Sequence, residues 1–371
     1  MAWAGGFVKP WGLQFFGKLV RVILNENDSY YLHGAFYMKK HSLFLAASAM
    51  VLGLSAAHAA PPALIIYGAQ HPQVEAMLAK AFTEKTGIPV KIHDGEGPDI
   101  ASQIISEGSA SPADLFYTEN SPELNLLSEQ GLLAPVAPST LAQIPAQYNG
   151  SQGDWVGVTA RENVLDYNPA KISEADLPAS LMDLTDPKWQ GKIGIAPSDG
   201  DFLPLVSAVI KVYGKDKALA WLQALKANSK IYEDDEGVTA AVAHGDVAVG
   251  VINNYYYYRL RTQLGVNGID SKLYHFKNAD VGGLVNISGA AVLKSASEPK
   301  EAQEFLAFLV SKQAQELLAQ SNIAFEYPLR PGVAPNNALT PFKDLQPPAL
   351  KASDLGDDQE AGQLLQEAGL I

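Results

Sequence analysis

Ala63-Leu64-Ile65-Ile66-Tyr67-Gly68, read together with the residues that follow as far as Ile92, decides the fold of this chain. An apolar run ends at Gly68. Val74, Met77, Leu78 and Phe82 then recur at three- and four-residue intervals until Gly87 ends the pattern, as in an amphipathic helix. Pro89 to Ile92 reads as a second strand. A β-α-β start of this kind predicts a parallel sheet with covering helices.

The pattern repeats downstream. Asp114 to Tyr117 is strand-like, and Ser121-Pro122-Glu123 opens a helix with a cap residue and a proline, with Leu124, Leu127 and Leu132 on its apolar side. Val156 to Leu165, Lys192 to Ala196 and Val247 to Ile252 are further strands. Helices are expected at Leu203 to Tyr213, Lys217 to Ala227, Val238 to His244, Tyr255 to Leu264 and Pro299 to Gln320. This alternation over about 310 residues exceeds a comfortable single core, so two α/β lobes are expected with a ligand cleft between them. With no repeat, low-complexity tract or Gly/Ser tether between them, ordered strands should carry the chain from one lobe to the other.

Upstream, Met38-Lys39-Lys40-His41, the apolar stretch Ser42 to Ala57 and the small-residue pattern Ala57-His58-Ala59 read as a secretory signal peptide cleaved after Ala59. That stretch is shorter than the roughly 20 residues of a transmembrane helix. Residues 1 to 37 carry neither periodicity nor a targeting pattern, and Met38 is read as the initiator. The 371 residues include no cysteine, which excludes disulfides, thiolate metal sites, a cysteine nucleophile and lipid attachment to a mature N-terminal cysteine. Removing residues 1 to 59, with five basic and two acidic side chains, leaves 22 basic against 38 acidic, a net charge of −16. Such a field repels nucleic acid and anionic membranes and attracts cations.

Three segments place a potential metal ligand just past a strand's carboxyl end, where open α/β sheets bind ligands. They are His71 after Leu64 to Tyr67, Glu119 after Asp114 to Tyr117, and Tyr255 with Tyr256 after Val247 to Ile252. Two phenols with a pKa near 10 ionise near neutrality only beside a strongly charged metal. Zinc prefers thiolate and imidazole, calcium and magnesium prefer carboxylate and carbonyl oxygen, and copper usually takes more imidazole. Ferric iron fits this set best. Helical rotation carries Tyr257 and Tyr258 off the ligand-facing side, so they are read as packing residues. His93 to Asp99 lacks calcium-loop spacing and is read as a surface turn, while His244 and His275 are read as structural. No phosphate loop, nucleophile elbow or HExxH motif is present.

Tyr67-Gly68-Ala69-Gln70-His71, Ser111 to Glu119, Ile252-Asn253-Asn254-Tyr255-Tyr256 and Ser288-Gly289-Ala290-Ala291-Val292-Leu293-Lys294 together resemble the periplasmic ferric-ion-binding proteins of bacterial ABC importers, from about residue 63 to the C-terminus. The resemblance implies a type II, Venus-flytrap-like periplasmic binding protein of two α/β lobes, with mixed, largely parallel sheets flanked by helices. Lobe 1 would comprise residues 60–160 and 287–335, lobe 2 residues 161–286 and 336–371. It implies His71, Glu119, Tyr255 and Tyr256 as ligands of a transported ferric ion that closes the lobes, an inner-membrane permease and its ATPase as partners, and a monomer in the periplasm without enzymatic activity.

One departure concerns the synergistic anion. Where the family holds phosphate with backbone amides and small neutral side chains, this chain has Asp199-Gly200-Asp201, and a matching Asn is Asp235, while Asn120 and Asn253 remain. Three carboxylates would repel phosphate by several kcal/mol at an effective dielectric of about 20. Phosphate binding is therefore expected to be weak or absent. Either Asp199 or Asp201 supplies a direct or water-bridged carboxylate, or carbonate is held by Arg161. Two other functions are weighed. A carrier of an organic phosphate or phosphonate on the same scaffold would leave the paired tyrosines without a purpose. A secreted non-haem iron enzyme would usually use two His and one carboxylate.

Overall fold

In the computed structural model, which describes residues 62–265 and 268–371, the opening segment folds as β1 (Leu64–Ala69), α1 (Pro72–Thr86) and β2 (Val90–Asp94), with β1 and β2 parallel. The signal peptide at 38–59 and the extension at 1–37 lie outside the described residues. Gly87 stops α1 because it takes a φ of 75°, a left-handed conformation that glycine adopts without a Cβ clash. The helix buries Val74, Leu78 and Phe82 almost completely, each contributing about 1.5–3 kcal/mol.

Then follow α2 (Gly97–Glu107), β3 (Leu115–Thr118), α3 (Ser121–Glu129), α4 (Pro138–Leu141) and the long strand β4 (Val156–Tyr167). The next group is β5 (Ile193–Ile195), α5 (Phe202–Tyr213), α6 (Lys215–Asn228), β6 (Ser229–Ile231), α7 (Asp235–His244), β7 (Val249–Asn253), α8 (Asn254–Leu264) and β8 (Lys272–Tyr274). The chain returns through β9 (Val285–Val292), α9 (Pro299–Leu309), α10 (Lys312–Gln320) and β10 (Tyr327–Pro328), and ends in α11 (Gln359–Glu367).

The strands lie in the order β2-β1-β3-β9-β4-β7-β5-β6, with β8 and β10 also paired to β4. Both flanks are parallel, β1 with β2 and β3, and β5 with β6 and β7. The centre is antiparallel: β9 with β3 and β4, and β4 with β7, β8 and β10. The sheet is therefore mixed, as expected, but not largely parallel. The reason is that β4 and β9 run through the middle as long return strands rather than as units of a β-α-β crossover. Two apolar cores share this sheet. The upstream part of β4, as far as Val164, packs in a core with Leu64, Phe82, Phe116 and Phe305. Leu165 and Tyr167 pack in a second core with Trp189, Trp221 and Leu364.

Three readings need correction. The helix expected over Pro299 to Gln320 is two helices, because Val310 and Ser311 leave the helical path and the Ser311 hydroxyl accepts a hydrogen bond from the Ala314 amide, starting a new one. The turn expected at His93 to Asp99 is the end of β2 and the start of α2, with Pro98 in the first helical turn. Leu132 lies beyond the C-terminus of α3 rather than on its apolar side.

Candidate metal centre

His71 is the N-cap of α1, two residues past β1, and Pro72 behind it fixes the helix start. Glu119 follows β3, and its amide donates to the Ala69 carbonyl at 3.1 Å, which holds the two parallel strand ends side by side. Asn253 ends β7 and caps α8, so Tyr255 and Tyr256 lie in that helix's first turn. These three ends converge. His71 Nε2 lies 3.3 Å from Glu119 Oε2, and the Tyr255 hydroxyl oxygen lies 3.3 Å from the same oxygen. The Tyr255 ring is centred 4.9 Å from the imidazole and 4.2 Å from the Tyr256 ring. One turn along α8, the Arg259 guanidinium sits 4.6 Å over the Tyr255 ring.

The aspartates differ in what they face. Asp201 is buried at the N-terminus of α5, and its Oδ2 accepts from both the Tyr255 and the Tyr256 hydroxyl, the latter at 3.3 Å. Its Oδ1 accepts from Arg161 Nη2 at 3.1 Å and from Asn120 Nδ2 at 3.3 Å. Asp199 instead accepts from the backbone amides of Asp201 and Asp235, at 3.0 and 3.1 Å. Asp235 accepts from the Asn253 amide at 3.0 Å. Gly200 lies opposite Pro98 and Asn120, with room for a Cβ at ordinary contact distance. Arg161, on β4, is fully buried, and its Nη1 is also 3.8 Å from Glu326 Oε1.

Glu326 is a member of this web that sequence reasoning missed. It accepts from the Thr159 hydroxyl at 2.5 Å and from Gln70 Nε2 at 3.4 Å. Asn286 on β9 donates to Asn120 Oδ1 at 2.7 Å and was missed too. Arg259 could have been found, since it stands four residues from Tyr255 on a helix; Glu326 and Asn286 carried no local signal. Tyr257 and Tyr258 point elsewhere. The Tyr257 hydroxyl donates to the Ser271 carbonyl at 3.3 Å, and the Tyr258 ring stacks on Phe325 at 5.5 Å. His275 lies between Glu162, 2.6 Å from Nδ1, and Thr340, 2.9 Å from Nε2.

Burial and the neighbouring Asp201 push both Tyr255 and Tyr256 well above the usual phenol range. Glu119 is likewise pushed well above the carboxylate range by burial, then by Asp201. Burial lowers His71 to about 3, so its imidazole is a neutral donor at physiological pH. For Asp201 burial acts upward, but Arg161 and the Tyr255 hydroxyl outweigh it and hold the carboxyl below its ordinary value. Among the described residues no three His, Cys, Asp or Glu side chains are grouped to hold a metal.

The cluster opens on a cavity of about 800 Å³ lined by Asp94, Glu96, Asp99, Asp199, Glu233, Asp234 and Glu236, with no lysine or arginine in its wall. The pattern defining the bacterial extracellular solute-binding proteins matches residues 77–350. The chain belongs to that family. Within the solute-binding proteins it is 42% identical to the Fe(3+)-binding periplasmic protein of Serratia marcescens over 328 residues, 88% of this chain and 96% of that protein. It is 38% identical to the major ferric iron-binding protein of Neisseria meningitidis serogroup B over 326 residues, 86% and 97% of the two. Iron-bound HitA from Pseudomonas aeruginosa superposes with a TM-score of 0.80 at 48% identity, over 83% of this chain and all of that one. As a solute-binding protein the chain has the expected two-lobed α/β architecture.

Proposed function

We propose that this protein captures ferric iron in the cleft between two lobes in the periplasm and delivers it to an inner-membrane ABC permease and its ATPase. The carrying observation is the convergence of His71, Glu119, Tyr255 and Tyr256 from three strand ends onto one point at the wall of the acidic cavity. Three of these side chains become anions when they coordinate, the Glu119 carboxylate and two phenolates, and the fourth is neutral. Their charge equals that of a ferric ion, while the adjacent Asp201 and Arg161 cancel each other. A divalent ion would leave an uncompensated negative charge in a buried site, which is costly. Ferric iron is also hard enough to displace the phenol protons that burial otherwise retains.

In this reading β4 and β9 are the crossings about which lobe 1 (60–160 and 287–335) and lobe 2 (161–286 and 336–371) close, because Arg161 on β4 reaches Asp201 on one side and Asn120 on the other. The protein works as a monomeric carrier rather than an enzyme: the two phenolates hold the metal in its ferric state and leave no paired histidines for oxygen chemistry. The organic-phosphate reading is disfavoured by the acidic cavity wall, which holds no lysine or arginine and would repel a phosphoryl group. The net charge of −16 after residue 59 likewise disfavours nucleic acid as a partner.

Ferric titration of the protein followed in the visible range tests the proposal. A tyrosinate charge-transfer band should rise and saturate at one ion per chain. Tyr255→Phe and Tyr256→Phe should each weaken binding by more than about 100-fold, since even groups that only orient a ligand contribute 10- to 100-fold. A colourless protein that tightly binds a phosphate ester would refute it.

A further inference from the structure

We propose that a cavity among α2, α3, α5 and the start of α11 is a second ligand site, which takes a short alkylammonium ion with Glu123 as its counter-charge. It is independent of the ferric reading above. Of its lining residues, Pro98 and Leu203 alone also line the acidic cavity beside the tyrosines.

The cavity holds about 440 Å³, within the range of small-molecule pockets. Its wall is mostly apolar, with Ala101 and Ile105 from α2, Pro122 and Leu126 from α3, and Leu203 from α5. Set into this wall is Glu123, only 6% exposed, whose Oε2 is buried without a hydrogen-bond partner among the described residues. A buried carboxyl oxygen left unpaired is costly, and a donor brought by a ligand would remove that cost. The chain makes room for the group. Gly97, the first residue of α2, has no Cβ, and one built there would stand 2.5 Å from Glu123 Oε1.

The chemistry of the wall selects the occupant. Besides Glu123, its charged residues are Asp357 and Asp358 at the start of α11, and no lysine, arginine or histidine lines it, so an anion is repelled. The Ser207 hydroxyl donates to Asp358 Oδ1, and the Gln359 amide donates to Asp357 Oδ1 at 3.1 Å, whereas Glu123 Oε2 has no such donor. A bare metal ion finds too few ligands, since among the described residues no three His, Cys, Asp or Glu side chains are grouped to hold one. A neutral apolar molecule fills the volume but leaves Oε2 unpaired. An ammonium on a short alkyl chain does both: its N–H donates to Glu123 and its carbons cover Ile105 and Leu126. Burial, and then Asp358, push the Glu123 carboxyl well above the usual range; Arg161 opposes this and Asp201 adds to it, both with smaller effect. Burial also pushes Asp358 up to about 8. Without a cation beside it Glu123 therefore keeps its proton at pH 7, and an arriving ammonium, which stays charged, releases that proton to solvent as the carboxylate forms.

The test titrates the iron-free protein with n-butylammonium chloride at pH 7 by calorimetry. Expected is one saturable site per chain, with affinity at least about 10-fold above that for n-butanol or butyrate, because only the ammonium makes a charge-assisted hydrogen bond to a buried carboxylate. Titrations in two buffers of different ionisation heat should report about one proton released per amine bound. Glu123→Gln should weaken binding by about 10- to 100-fold and abolish the proton release. Because that variant alters a buried group, Ile105→Lys supplies a second one, at a position 38% exposed. Its own ammonium at the cavity wall should weaken n-butylammonium binding about 10-fold or more while the melting temperature stays native. Equal affinity for n-butanol and n-butylammonium, binding without proton release, or no saturable heat up to about 10 mM amine overturns the assignment.

Discussion

Replacing Arg161 by methionine removes the one cation buried among Asp201, Glu326 and Asn120 while keeping most of the side-chain volume. The native guanidinium is fully buried, 3.1 Å from Asp201 and 3.8 Å from Glu326. Taking away one partner of a buried ion pair costs about 3–5 kcal/mol, because the remaining charge stays desolvated. A chain of this size loses about 2 °C of melting temperature per kcal/mol, so a drop of roughly 6–10 °C is expected at neutral pH by calorimetry. The pH dependence gives a second signature. Asp201 in the native protein sits below its ordinary value, so its contribution is present above the unfolded carboxylate range and is lost as pH falls through the folded value. In the variant Asp201 and Glu326 are buried without a counter-charge and move upward, so the penalty is present at neutral pH and fades as acid protonates them. The gap between native and variant melting temperatures must therefore narrow from pH 7 to pH 5. The double variant Arg161→Met with Asp201→Asn should recover part of the loss, since it removes one of the two stranded charges. A variant within about 1 kcal/mol of native, or a gap that does not change with pH, would refute the buried-charge account.

Tyr257→Phe and Tyr258→Phe should keep the charge-transfer colour that Tyr255→Phe and Tyr256→Phe lose, because their hydroxyls and rings face Ser271 and Phe325; loss of colour in either packing variant would mean the helix presents a different face. Since the phenols of Tyr255 and Tyr256 are held protonated without metal, binding should release at least about two protons per ferric ion, and affinity measured against a competing chelator should fall about 100-fold or more per pH unit from 8 to 6. A slope near tenfold per unit would show that only one phenol ionises, and would refute the two-phenolate reading. The acidic cavity wall should speed capture of cationic iron species; Glu96→Gln with Glu233→Gln should slow association several-fold at low salt and little at high salt, and a rate indifferent to salt would count against electrostatic steering.

The elements that carry the ligands were legible because their signals are local. The apolar run at Leu64 to Tyr67 and the helical spacing from Val74 to Phe82 specify β1 and α1 from neighbouring residues alone, and the strand-end rule then puts His71, Glu119 and the tyrosines at one edge. Local signals misled where two readings share a pattern. Apolar spacing runs unbroken from Phe305 to Leu318, and only the capping serine at 311 marks that the chain restarts; at Gly97-Pro98 a turn signature doubles as a helix start. What completes the site was not legible, for a physical reason. Whether Asp199, Asp201 or Asp235 faces the phenols depends on which of them finds backbone amides to bind and which finds Arg161, and that choice is made by strands distant in sequence. Glu326 shows the same limit: it balances Arg161 only because β10 is brought against β4. Ligand type can thus be read from residues at strand ends, but charge balance belongs to the assembled sheet. A substitution at Glu326 or Arg161, neither of which is among the proposed ligands, should accordingly alter iron binding through Asp201.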